Sequence, residues 1–175
     1  VADTSVTLSW DDAAGAYYYN VYMLKDGKYE IISKCEDNKL KVGSLEQFKD
    51  YSFSVAAVSQ GEHVTQVGES SYDLSLVTKP SKIEDVTVDK VQGNNVTLSW
   101  QENPYAQKYA VYVYSDSKKA YVEKAVTEDA YATVTGLKYN KEYTFAVKAI
   151  AVRNETEIYS DYSDSVGAAT AYPVP

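Results

Sequence analysis

Ser5-Val6-Thr7-Leu8-Ser9-Trp10 returns 90 residues later as Asn95-Val96-Thr97-Leu98-Ser99-Trp100. The same shift carries Tyr19, Val21 and Tyr22 onto Tyr109, Val111 and Tyr112. After a two-residue insertion the shift becomes 92. It then takes Leu45, Tyr51, Phe53, Val55 and Ala57 to Leu137, Tyr143, Phe145, Val147 and Ala149, and it ends with Thr78 on Thr170. Stacked solenoid repeats run to about 20–50 residues, and a longer unit has room for its own core. The repeat therefore predicts two domains, 1–79 and 80–175.

Within each unit the apolar residues alternate. Val6, Leu8 and Trp10 face one way and Thr7 and Ser9 the other, while Tyr51, Phe53, Val55 and Ala57 alternate with Ser52, Ser54 and Ala56. A period of two places successive side chains on opposite faces of a strand. Turn-forming stretches separate the runs: Lys25-Asp26-Gly27, Gln92-Gly93-Asn94-Asn95, Glu102-Asn103-Pro104 and Lys138-Tyr139-Asn140. Short strands with turn signals between them predict an all-β chain of antiparallel sandwiches. The connection Thr78-Lys79-Pro80-Ser81 is short, and Pro80 stiffens it.

Three motifs occur in both units: Val6 to Trp10 and Val96 to Trp100, Tyr19 to Tyr22 and Tyr109 to Tyr112, and a leucine six residues before a tyrosine (Leu45 and Tyr51, Leu137 and Tyr143). With them, each unit resembles a fibronectin type III domain. The resemblance implies an immunoglobulin-like sandwich in which the first two motifs are strands B and C. It implies structural roles for Trp10 and Trp100. It also places Tyr51 and Tyr143 at a tyrosine corner, with the phenol bonded back to the backbone of the turn between strands E and F. In the second unit Val86, Val88 and Val91 supply strand A, whereas Val1 is the counterpart of Val91. The first unit is therefore expected to lack strand A, leaving an edge beside strand B for upstream residues or another chain to fill. The absence of a leader pattern and of an initial Met reads as a segment of something larger.

The formal charge is −8, and both halves are acidic: 7 basic against 12 acidic groups in residues 1–79, and 10 against 13 in residues 80–175. This predicts no basic face, which argues against nucleic acid and anionic lipid as partners. No run of 18 apolar residues exists, so no membrane insertion by a helix is expected. The single Cys35 cannot form an internal disulfide and reads as an inert, partly buried thiol. Scarce cysteine fits the cytosol and a thiol-avoiding bacterial exported protein equally. One Arg among 17 basic residues, acidity and that scarcity lean towards a bacterial surface or secreted protein.

Catalytic parts are scarce. The one histidine, His63, falls in the predicted F–G loop of the first unit and has no counterpart in the second. Asp11-Asp12 is matched by Gln101-Glu102 in a solvated loop, and Glu36-Asp37-Asn38 reads as a turn, without the alternating ligands of a calcium loop. Zinc spacing and a phosphate-cradling glycine loop are absent. No catalytic residue, cofactor or metal is expected. Asn95-Val96-Thr97 and Asn154-Glu155-Thr156 are glycosylation sequons that do not decide the source.

The composition holds 18 Tyr against 3 Phe and 2 Trp. Parity on strand C sends Tyr19, Val21, Met23, Tyr109, Val111 and Val113 inward. It sends Tyr18, Asn20, Tyr22 and Leu24 outward in the first unit, with Lys108, Ala110, Tyr112 and Tyr114 in the second. Strand F beside it presents mostly small outward residues, Ser52, Ser54 and Ala56, then Thr144, Ala146 and Lys148, which predicts a flat platform. Tyr18, Tyr22, Tyr112 and Tyr114, with Tyr105 and Tyr159 at the loop tips, form the candidate binding surface. The same tyrosines also fit plain strand propensity and cross-strand cover. The expected role is a non-catalytic spacer and protein-interaction segment of a larger extracellular protein, with neighbouring domains of the same polypeptide as partners. The alternative is a module whose tyrosine platform recognises carbohydrate or protein.

Overall fold

The computed structural model describes residues 1–62 and 64–172. His63 lies outside the described residues. The chain divides into two compact units, Val1–Thr78 and Lys79–Pro175. The division falls one residue before the expected 79/80 boundary, and Lys79 donates to Asp161 Oδ1 at 2.8 Å within the second unit.

In the first unit, β1 (Val6–Ser9) pairs with β4 (Lys39–Val42). A second sheet runs in the order β3 (Lys28–Cys35), β2 (Tyr18–Lys25), β5 (Asp50–Gln60), β6 (Thr65–Ser70), with β7 (Leu74–Val77) also on β5. In the second unit, β9 (Asn95–Ser99) lies between β12 (Tyr131–Val134) and β8 (Thr87–Gln92). Its larger sheet is ordered β11 (Ala120–Thr127), β10 (Lys108–Ser115), β13 (Glu142–Arg153), β14 (Thr156–Tyr159), with β15 (Val166–Ala169) on β13. Every pairing is antiparallel.

The period-two pattern explains the cores. Val6, Leu8, Val21 and Phe53 are buried together in the first unit, and Val96, Leu98, Val111, Phe145 and Val147 in the second. Hairpins turn where the backbone adopts positive φ, as at Asp26 (48°) and Gly27 (78°) between β2 and β3.

The repeat extends to individual hydrogen bonds. The backbone N–H of Glu46 donates to the Tyr51 hydroxyl at 2.9 Å, and that of Lys138 to the Tyr143 hydroxyl at 2.8 Å. Buried Thr78 donates to the Glu46 carbonyl at 2.7 Å and accepts from the Lys49 N–H at 3.0 Å. Thr170 does the same with Lys138 (2.6 Å) and Lys141 (3.1 Å). A second tyrosine clasp was not legible in the sequence. The Ala13 and Asn103 N–H groups donate to the hydroxyls of core Tyr19 and Tyr109, at 2.9 and 3.0 Å. A buried tyrosine thus keeps its hydroxyl satisfied while its ring fills the core.

The units differ at one edge. β9 has a neighbour on each side, whereas among the described residues β1 pairs with β4 alone. In the second unit Ile83 is 2% exposed, and Val86 and Val88 pack on the core that buries Trp100 to 7%. Trp10, packed against the smaller first core, is only half-buried. Val91 was expected to join Val86 and Val88, but a register shift between Val88 and Lys90 leaves it 38% exposed. Ile83, before the strand, supplies core contact there.

Candidate functional site

Outward tyrosines of the second unit gather on the β11–β10–β13 face. Tyr112 is opposite Ala146 on β13, and Tyr114 is the direct cross-strand partner of Tyr121 on β11. Tyr162, in the segment between β14 and β15, lies over this face. Its ring centroid is 5.1 Å from that of Tyr112 at 89°, and 4.7 Å from that of Tyr121. Tyr114 meets Tyr121 edge-on at 5.4 Å. The Lys148 ammonium sits 4.0 Å from the Tyr162 centroid, a cation–π geometry.

This arrangement corrects the expectation of a flat platform. The small outward residues are not open floor: Ala110 and Ala146 are fully buried, as are Ser54 and Ala56 in the first unit. Small side chains on the middle strands leave room for Tyr162 to reach across from the sheet edge. Outward parity therefore does not imply exposure. Asn20, also outward by parity, is 4% exposed, and its Nδ2 donates to the Tyr22 hydroxyl at 3.3 Å.

Burial raises the Tyr112 pKa to about 12, helped by Glu123, whose carboxylate accepts from its hydroxyl at 3.4 Å. The Tyr121 phenol is also pushed up, first by burial. Burial pushes the Lys148 ammonium down. Tyr159 was expected at a loop tip. The hairpin instead turns at Asn154 and Glu155, both at positive φ, and Tyr159 ends strand β14 opposite Ile150. Its hydroxyl donates to Glu157 at 2.6 Å, which with burial raises its pKa to about 12. Glu157 is held by Lys108 at 2.5 Å, and these hydrogen bonds lower its carboxyl pKa. The Tyr112 and Tyr159 phenols are protonated at neutral pH and donate hydrogen bonds beside apolar ring surface. That is contact chemistry of the kind binding surfaces use.

The other candidates stand apart from this cluster. Tyr105 is 40% exposed in the β9–β10 loop, its N–H bonded to Asn103 Oδ1 at 2.9 Å. Tyr18 is half-buried in the first unit, with the Lys34 ammonium 5.6 Å from its ring centroid and Tyr17 edge-on at 6.2 Å. Tyr121 and Tyr162 were not singled out in the sequence, and Lys148 was read only as an outward residue of strand F. The hairpin register pairing Tyr114 with Tyr121 was a usable signal for the first; nothing local marked Tyr162. Cys35, at the end of β3, packs on the first core, and burial and Asp37 raise its thiol pKa. Among the described residues, no group of three or more His, Cys, Asp and Glu is placed to hold a metal, and no helix is long and apolar enough to cross a membrane.

Residues 79–164 match the family model described as Fibronectin type III domain. Receptor-type tyrosine-protein phosphatase eta of Gallus gallus is 33% identical over 167 residues, covering 90% of this chain and 11% of that protein. Among solved structures, FN3tt shares 28% identity, covers 54% of this chain and 98% of its own, and has a TM-score of 0.45. The two fibronectin type-III domain segment from chicken tenascin shares 14% identity, covering 97% of this chain and 93% of its own, with a TM-score of 0.46. The Gallus gallus relative lends no support to a bacterial source. Residues 79–164 belong to the fibronectin type III family, and the chain is built as two tandem immunoglobulin-like sandwiches of that fold.

Proposed function

We propose that this chain is a non-catalytic spacer and protein-interaction segment of a larger extracellular protein, with the tyrosine cluster of the second sandwich as its contact surface. One observation carries the reading: Tyr114 and Tyr162 stay 40% and 37% exposed while their rings are fixed by Tyr121 and Tyr112. Aromatic side chains already ordered by neighbours lose little entropy on binding, which favours their use in recognition. The 11% share of a much longer receptor-type relative supports a place among neighbouring domains of one polypeptide. The clustered tyrosine rings favour a second reading, recognition of a carbohydrate through ring stacking.

The test is a parallel screen of extracellular-protein and glycan arrays with the full chain and with Tyr114→Ser/Tyr162→Ser. The proposal expects a protein ligand that the double variant loses while remaining folded. Glycan hits alone favour the second reading. Equal binding by both chains removes the tyrosine cluster as the contact surface.

A further inference from the structure

The two units carry the same corner with different charges. In the first, Glu46 and Lys49 in the β4–β5 loop form an ion pair, and Lys25 pairs with Glu30 at 3.5 Å across the β2–β3 hairpin. The corner of the second has the same backbone: Lys138 stands where Glu46 stood and Lys141 where Lys49 stood, each fixed by the tyrosine and threonine bonds described above. The pair becomes two like charges.

A second substitution lies across from it. A bulge interrupts the pairing of β11 with β10, with Val111 opposite Ala125, Tyr112 opposite Glu123, and Lys124 left between. The same bulge in the first unit leaves Ile32 between Ser33 and Ile31, and Ile32 packs on the core. A bulge re-aims the extra side chain. In the second unit it therefore gives a lysine the position that an apolar residue fills in the first.

Lys118, Lys124, Lys138 and Lys141 line one open depression of about 480 Å³ with Tyr114 and Tyr143, and Asp116 is the one acidic residue lining it. None of the four lysines makes an ion pair among the described residues, in a chain of net charge −8. The even spread of acid through both halves predicts no basic face, yet folding assembles one from positions 118 to 141. Clustered like charges oppose one another until a counter-charge arrives.

We infer that this depression is a binding site for an acidic glycan, a polysaccharide carrying carboxylate or sulfate groups. The lysines neutralise the anionic substituents, and the Tyr114 ring, 40% exposed, offers a face to a sugar ring. The hydroxyls of Ser115 and Ser117 line the same space. An acidic peptide suits the site less well, because the bulge at Lys124 breaks the β11 edge along which an extended strand would pair.

The test measures binding of the full chain to polygalacturonate, dextran sulfate, neutral dextran, poly-L-glutamate and duplex DNA at low and at physiological salt. At least one acidic glycan is expected to bind in a salt-sensitive way, and dextran is expected not to. Carboxylate and sulfate are told apart by which of the two acidic glycans binds. Lys138→Glu/Lys141→Glu is expected to weaken binding about tenfold or more. Lys90→Glu, exposed on β8, serves as the control for charge at another place and is expected to leave binding unchanged. Lys138→Gln/Lys141→Gln repeats the test should the charge reversal unfold the corner. Absence of binding to both acidic glycans overturns the site. So does equal loss in the Lys90 control, and so does tighter binding of poly-L-glutamate or DNA.

Discussion

The Lys148 ammonium rests 4.0 Å from the centroid of the Tyr162 ring, and that ring in turn contacts Tyr112 and Tyr121. Tyr162 is the keystone of the aromatic face, whereas among the described residues Tyr114 meets that face through Tyr121. Tyr162→Ser is therefore expected to cost about 1–2 kcal/mol, from lost ring contacts and the cation–π contact. Tyr114→Ser is expected to cost less than about 1 kcal/mol. Urea unfolding of the full chain reads both, and a larger loss for Tyr114→Ser would contradict this hierarchy.

Alkaline pH offers a separate check. Tyr112 and Tyr159 have pKa values of about 12 against 10.0 for the free group, so the folded chain holds these protons more tightly than the unfolded one. Their contribution to stability is complete below about pH 10 and falls as pH rises towards 12. Lys148, shifted down by burial, works in the opposite sense. Spectrophotometric titration at alkaline pH is expected to show a phenol component ionising near pH 12 that Tyr112→Phe diminishes. An unchanged late component in that variant would remove Tyr112 from the assignment.

The open edge of β1 predicts unequal tryptophans. Trp100→Phe, which leaves half-buried Trp10, is expected to be quenched by acrylamide more readily than Trp10→Phe, which leaves Trp100 at 7% exposure. Fusing a copy of residues 80–90 ahead of Val1 offers β1 the strand that β9 has in β8. It is expected to lower the quenching of Trp10 and raise the unfolding midpoint of the first unit. Unchanged quenching would mean that the added strand does not dock on β1.

Thr78 and Thr170 are buried and bonded to both a carbonyl and an N–H of the loop they brace. Valine at either site keeps the shape and strands those backbone groups. A loss of about 1–3 kcal/mol is expected for each substitution. Similar losses at the two positions, measured by thermal unfolding, would show the repeat to be energetic as well as geometric.

The sequence by itself determined the two-sandwich architecture. Val-Thr-Leu-Ser-Trp and its copy state the strand period directly, because alternation is a local property that burial on one face enforces. The spacing from Leu45 to Tyr51 and from Leu137 to Tyr143 likewise announced the corners, whose bonds span only five residues. The composition of both candidate surfaces was decided only by the tertiary structure. Tyr162 meets Tyr112 and Tyr121 across strands distant in sequence, and small residues between them become covered floor. Lys124 joins Lys138 and Lys141 because a bulge shifts one residue out of alternation, and parity rules fail wherever the ladder does. An acidic chain can thus carry a basic corner, since net charge sums over residues while a binding surface depends on which of them the fold places side by side.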